Sequence, residues 1–177
     1  MFPILETDRL VLREITREDV EGIFDCFSNI DVTRFYGQDT LESIEQAEKF
    51  VDFFSKNYNE KRGIRWGIER KGTKGIIGTI GFNAWLPKHK RAEIGYEIHP
   101  EHWRKGYTSE AVSKVLSYGF DIMSLNRIGA VVFIDNEASN NLLLKIGFQK
   151  EGVLRDYMYQ NGVAYDTYVY SLLKNSK

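Results

Sequence analysis

The stretch His99-Pro100-Glu101-His102-Trp103-Arg104-Lys105-Gly106-Tyr107-Thr108-Ser109-Glu110-Ala111 has the residue types and the order of an anion site. Pro100 ends an extended segment, Arg104-Lys105-Gly106 makes a short loop, and a helix starts near Thr108. Gly106 lets the backbone turn so that successive amide N–H groups point into one concavity. The helix behind it adds unpaired N–H groups and the positive end of its dipole. Together they would hold a phosphate or pyrophosphate, with Arg104 and Lys105 supplying further charge. A plain strand–loop–helix connection with a surface basic pair remains the alternative, since glycine before a helix is common. Two other phosphate motifs are missing: the chain has no G-x-x-x-x-G-K-[ST], and no G-x-G-x-x-G between a strand and a helix.

Other reactive residues read more plainly. Cys26, the single cysteine, lies on an amphipathic segment with no histidine beside it in sequence, which makes it a poor nucleophile. His99 and His102 flank Pro100-Glu101 without further metal ligands. Lys88-His89-Lys90-Arg91 is a basic run, either a solvated loop or one that touches the phosphates of a ligand or partner. Tyr157, Tyr159, Tyr165, Tyr168 and Tyr170 crowd the C-terminal segments, where alternation would bury several and leave others to line a pocket.

The elements that must position these residues follow from periodicity. Leu10 and Leu12 alternate with Val11 and Arg13 in a first strand, and Thr16 with Asp19 opens a helix carrying Val20, Ile23, Phe24 and Phe27. A second helix follows Thr40, with Ile44, Ala47, Val51, Phe54 and Tyr58 as its apolar stripe. Strands are expected at 64–70 and 76–83, joined by the turn 71–75. Gly78 and Gly81 suit a strand that another backbone approaches closely. Residues 92–99 alternate, with Ala92, Ile94, Tyr96 and Ile98 on one face and Glu93, Gly95, Glu97 and His99 on the other. A strongly amphipathic helix covers 108–123, a buried strand 127–135, and a short helix 137–146 closed by Gly147. Two last strands span about 148–157 and 163–173. This order implies an α/β (α+β) domain with a mixed sheet, and not a doubly wound one.

The chain has 177 residues, which points to one domain, residues 1–177. Its 24 Lys plus Arg against 25 Asp plus Glu leave a net charge of −1, so a general nucleic-acid binder is not expected. One cysteine excludes an intramolecular disulfide framework and suits a reducing, cytoplasmic location. With three histidines beside it, a structural zinc site, or any other metal, is not expected. Charged residues at Glu6, Asp8 and Arg9 interrupt any signal-peptide core, and the apolar run 128–134 is far short of the ~20 residues of a membrane span.

These segments together resemble the GNAT superfamily of N-acetyltransferases, whose pyrophosphate loop reads Q/R-x-x-G-x-G/A. Here the loop is Trp103-Arg104-Lys105-Gly106-Tyr107-Thr108, which departs at the first and last positions. That departure looks like the ribosomal-protein N-terminal acetyltransferases of the RimJ/RimL type, where W-G-K-G-Y-A-T-E-A is usual. The same type is matched in order by Thr7-Asp8-Arg9-Leu10-Val11-Leu12-Arg13, Ile77-Gly78-Thr79-Ile80-Gly81 and Ala92-Glu93-Ile94-Gly95-Tyr96. Asn136 with Ser139 and Lys145-Ile146-Gly147-Phe148 complete the series.

The resemblance implies a mostly antiparallel sheet of about seven strands with about four helices, splayed between strands four and five. Acetyl-CoA would lie in the opening, its pantetheine along the 92–99 strand at Tyr96, Glu97 and Ile98. The pyrophosphate would take the amides of Arg104, Lys105, Gly106, Tyr107, Thr108 and Ser109, while Asn136 and Ser139 approach the thiol end. A homodimer is compatible with the family. The acceptor would be a primary amine, by preference the α-amine of a protein N-terminus. A small amine (a polyamine, an amino acid or an antibiotic) is the close rival, and a non-catalytic acyl-CoA-binding module the rival from another class.

The chemistry narrows the roles. Near pH 7 an α-amine is ~10% neutral but a lysine amine only ~0.04%, so an α-amine needs only a modest base. Glu93 resembles the family's glutamate base in its A-E-I context; otherwise it is a solvated carboxylate or a partner of Arg91. Glu97 lies ~13 Å further along that face, too far to share a proton. A backbone N–H near Tyr96 to Ile98 would polarise the thioester. Where many members offer a tyrosine to protonate the thiolate, this chain has Leu143, so Ser139 becomes the substitute acid. It is equally suited to satisfying a free amide at the helix start.

Overall fold

Leu10 and Leu12 are fully buried in β2 (Leu10–Glu14), so the first alternating segment lays one face on the core. The computed structural model describes residues 1–176 and continues from that strand into one eight-stranded sheet. The other strands are β1 (Leu5–Glu6), β3 (Ile64–Arg70), β4 (Ile76–Leu86), β5 (Arg91–Ile98), β6 (Arg127–Phe133), β7 (Gln149–Gln160) and β8 (Val163–Leu173). They lie in the order β1-β2-β3-β4-β5-β6-β8-β7, antiparallel except for the parallel pair β5–β6.

Helices cover both faces. Helices α1 (Val20–Phe27), α2 (Ile30–Thr33) and α3 (Ile44–Asn59) enclose a small core of Ile15, Ile23, Cys26, Phe27, Leu41, Ala47 and Val51. Capping boxes at Thr16 and Ser43 start this layer: each cap side chain accepts a first-turn N–H, and each cap backbone N–H donates to the side chain of Asp19 or Gln46. Helices α4 (Tyr107–Asp121) and α5 (Glu137–Ile146) close the larger core, with Ala111, Val112, Val115 and Phe120 packed over Trp66, Phe82 and Ile128.

Among the described residues, eight strands and five α-helices exceed the expected seven and four. The additions are β1, two residues long, and α2, one turn long, both too short to show a period. Ile44, expected in the apolar stripe, is 37% exposed because it is the first residue of α3, ahead of the buried turns at Ala47 and Val51. Of the late tyrosines, Tyr170 is fully buried whereas Tyr159 is 71% exposed. Gly78 and Gly81 sit where backbones crowd: a Cβ would lie 2.2 Å from the Glu97 carbonyl oxygen and 2.0 Å from that of Ile64. No helix among the described residues is long and apolar enough to cross a membrane.

Gly119 tests the fit of α4 on the sheet. Alanine is the better helix former by about 1 kcal/mol. Its Cβ, however, would stand 2.7 Å from Cζ of buried Phe82 and 3.0 Å from Cδ1 of Ile128. Overpacking of this kind costs about 1–3 kcal/mol, so Gly119→Ala is expected to lower stability by about 1 kcal/mol in urea denaturation. A gain in stability would show that α4 shifts freely.

Candidate active site

Strands β5 and β6 pair over only three rungs, Arg91↔Arg127, Ala92↔Ile128 and Glu93↔Gly129, and then part. This is the expected splay, one strand number higher because β1 precedes it. The His99 N–H donates to the Ile77 carbonyl at 2.8 Å, which sets the parity of the β4–β5 ladder. By alternation the backbone groups of Glu97 and Gly95 face β4, and the N–H groups of Tyr96 and Ile98 face the gap. The carbonyl of Ile98 is taken by the Trp103 indole N–H at 2.7 Å, which closes the strand end.

The basic loop stands at that end. Arg104 and Gly106 are both left-handed, at φ 60° and 79°, and Gly106 precedes α4 without any side-chain cap. The first-turn N–H groups of Tyr107, Thr108 and Ser109 therefore lack a capping side chain, while Glu110 N–H reaches the Gly106 carbonyl at 3.1 Å. The loop is propped from the turn between β1 and β2. Arg9 Nη1 donates to the Lys105 carbonyl at 2.9 Å, Arg9 Nε to Glu110 Oε1 at 2.8 Å, and the guanidinium lies 4.4 Å above the Tyr107 ring. Thr7 donates to the other oxygen of Glu110. Thr7 and Arg9 carry part of the N-terminal family resemblance, and this is their physical role. The run 88–91 lies at the opposite end of β5, about 26 Å from the loop along an eight-residue strand. It does not join this anion site.

Glu93 occupies the last paired rung, beside Gly129; its side chain makes no hydrogen bond or ion pair among the described residues, Arg91 included, and only the Arg127 charge acts on it through space. Tyr96 and Ser139 meet on the opposite face, hydroxyl to hydroxyl at 2.7 Å, and so link β5 to α5 across the opening. Burial pushes the Tyr96 hydroxyl up to about 12, against the pull of Ser139. Asn136 caps α5 by accepting the Ser139 N–H at 3.3 Å. Leu143 is fully buried in the core.

Glu97 has a setting unlike Glu93, although they share a face of β5. Its carboxylate is buried against Arg65 at 2.6 Å, both side chains being 4% exposed. Thr79 donates to its second oxygen, and Arg65 Nη2 also reaches the Tyr36 hydroxyl. Burial pushes the Glu97 carboxyl up; it opposes the Arg65 charge as well, but Tyr36 and Glu97 more than offset that and raise Arg65. Sequence reasoning passed over Arg65 and Tyr36. The available signal was Arg65 itself, a charge between Ile64 and Trp66 in a strand that both helical layers cover. Burial likewise drives the Cys26 thiol up and keeps it protonated. His102 is lowered by burial, with Arg70 and Lys105 near it. Among the described residues no three His, Cys, Asp or Glu side chains gather to hold a metal ion.

Comparison with known proteins bears on this geometry. An N-acetyltransferase of Bacillus subtilis strain 168, YoaA, itself uncharacterized, is 69% identical over 98% of each chain. The structure of spermidine N-acetyltransferase from Vibrio cholerae, in complex with CoA and spermine, matches at 25% identity and TM-score 0.84, over 96% of this chain and 98% of that one. RimL, a ribosomal alpha-N-protein acetyltransferase in complex with coenzyme A, has TM-score 0.86 at 20% identity over 99% and 100% of the two chains, a likeness of fold alone. The acetyltransferase (GNAT) domain pattern spans residues 9–149, from the Arg9 prop through the splayed strands and α5 to the first residue of β7, and the chain belongs to that family of acetyltransferases.

Proposed function

We propose that the protein transfers the acetyl group of acetyl-CoA to a primary amine, by preference the α-amine of a protein N-terminus, as RimJ/RimL-type enzymes do. The observation that carries the donor half is the unpaired edge of β5, with N–H groups at Tyr96 and Ile98 leading to the left-handed loop at Arg104–Gly106. A pantetheine amide can pair with that edge as an added strand, and a pyrophosphate suits the loop amides of Arg104 to Ser109. The donor supplies an acyl carbon activated as a thioester; the residues of the chain bind it, orient it and move protons.

Glu93, on the face opposite Tyr96 and Ser139, has the Arg127 charge near it but no side-chain hydrogen bond or ion pair, so an amine entering there meets a carboxylate able to accept its proton. The Tyr96 N–H stands ready for the developing oxyanion. Ser139 can hand its hydroxyl proton to the departing thiolate as it takes one from the Tyr96 hydroxyl, which solvent then replaces, while Glu93 releases the amine's proton to water. The acceptor side supports the α-amine. Glu93 is followed along that face by Phe133, which stacks on Tyr165 at 5.0 Å and meets Phe35 at 6.4 Å. An aromatic wall with one unpaired carboxylate suits a single amine on an apolar body better than a polycation. The V. cholerae relative, crystallised with spermine, keeps the polyamine as the second reading.

Three measurements test this. In a screen of N-terminal peptides, polyamines and amino acids, with mass spectrometry locating the acetyl group, α-amines of peptides are expected to turn over fastest. Tight acetyl-CoA binding with no turnover on any amine would instead mark an acyl-CoA-binding module. Gly106→Ala forces a Cβ into a left-handed position 3.2 Å from Arg9 Nη2. That strain is expected to weaken acetyl-CoA binding at least about tenfold by calorimetry, and unchanged affinity would remove the loop from the site. Glu93→Gln is expected to lower kcat by about 10²-fold and to alter its pH dependence, with Ser139→Ala losing about tenfold at steady acetyl-CoA affinity. A pH profile of kcat identical to the parent's would exclude Glu93 as the base.

A further inference from the structure

Beyond Glu93↔Gly129, strand β5 has a ladder on its β4 side only, and one buried side chain grips it there. Arg65 on β3 pairs with Gly81, and Gly81 with Gly95, so two glycines leave an open row for its side chain to cross the sheet. It reaches β5 at two points: Nη1 donates to the Gly95 carbonyl at 3.2 Å, and Nη2 to Glu97 Oε2 at 2.6 Å. Its Nε donates to Thr79 Oγ1 at 2.8 Å, and the Tyr36 hydroxyl takes the remaining approach. A Cβ on Gly95 would lie 3.2 Å from Nη1, so any side chain there would press on the guanidinium.

The peptide that joins Gly95 to Tyr96 is trans, so its carbonyl and its N–H point in opposite directions. With the carbonyl turned toward β4 and Arg65, the Tyr96 N–H is turned into the gap. A cation on the carbonyl also polarises that peptide unit and strengthens its N–H as a donor. We propose that Arg65 is a positioning residue for acetyl transfer: through the Gly95 carbonyl it sets the direction and donor strength of the Tyr96 N–H that meets the thioester oxygen. Glu97, Thr79 and Tyr36 hold the guanidinium in place. The inference rests on the gap being the thioester site, as argued above. A purely structural pair would behave differently, because a buried ion pair is often replaceable by apolar side chains at little cost.

Two variants separate these roles. Arg65→Met combined with Glu97→Met removes both charges together and leaves neither one buried alone. Arg65→Lys keeps a cation for Glu97, yet one ammonium cannot also span Thr79 and the Gly95 carbonyl. The readout is the carbonyl stretch of acetyl-CoA labelled with carbon-13 at the thioester, by difference infrared spectroscopy, alongside thermal unfolding, calorimetric affinity and kcat. In the parent the band is expected to move to lower frequency on binding. Both variants are expected to fold, to bind acetyl-CoA within about threefold and to lose most of that movement, with kcat down about 10- to 100-fold and KM for acetyl-CoA steady. Should the double variant not fold, Arg65→Lys carries the comparison. A band that moves as far in a folded variant as in the parent overturns the role of Arg65. A band that does not move in the parent overturns the oxyanion reading beneath it, and the proposal with it; that result needs no variant.

Discussion

Everything at the site depends on β5 losing its neighbour. A sheet interior normally satisfies both edges of each strand, and an unmet buried amide costs about 1–3 kcal/mol. Here the parallel pairing with β6 stops after Glu93↔Gly129, and the N–H groups of Tyr96 and Ile98 face an opening. The fold sustains that opening by fixing the strand from every other direction. β4 holds one edge, Arg65 grips the peptide and the carboxylate from below, Tyr96 is tied to Ser139 above, and Trp103 takes the last carbonyl. A strand so constrained can keep unpaired donors at fixed positions until a ligand meets them.

The charge balance fits the same design. A net charge of −1 gives no general field for anions, so attraction must be built locally. Arg104 and Gly106 turn the backbone left-handed and expose the first amides of α4, and Arg9 braces the loop from below by its bonds to the Lys105 carbonyl and Glu110. Part of the positive charge is thus spent on holding peptide groups, which then present partial charges of their own. Strain at Arg104, a non-glycine in a left-handed conformation, is tolerated because the surrounding bonds determine the turn.

Short-range order was legible before any coordinates. The alternation in 92–99, the helical stripe in 108–123, the glycine turn before a helix at Gly106 and the glycine stop at Gly147 each express a period or a φ requirement within a few residues. Helix α5 falls on 137–146 as the spacing implies. What stayed hidden was contact between distant positions. Arg65 with Glu97, Arg9 with Glu110 and Tyr96 with Ser139 lie 32, 101 and 43 residues apart, and no periodicity encodes such distances. The short elements β1 and α2 were hidden for the opposite reason, being shorter than the periods that reveal them.

Glu93 and Glu97 show how far four residues of strand can separate two like groups. Alternation puts both carboxylates on one face, and sequence alone assigns neither a distinct role. Glu97 falls on the side of α1 and α3, near Cys26 and Phe54, where Arg65, Thr79 and Tyr36 use its buried carboxylate. Glu93 falls at the last rung before the opening, beside a glycine that leaves room next to it. Environments of this kind push two carboxylates toward different tasks. One becomes part of the frame that sets a backbone donor, and the other stays available to a proton. The division does not need a larger distance or a different residue type, only that the sheet opens between one position and the next.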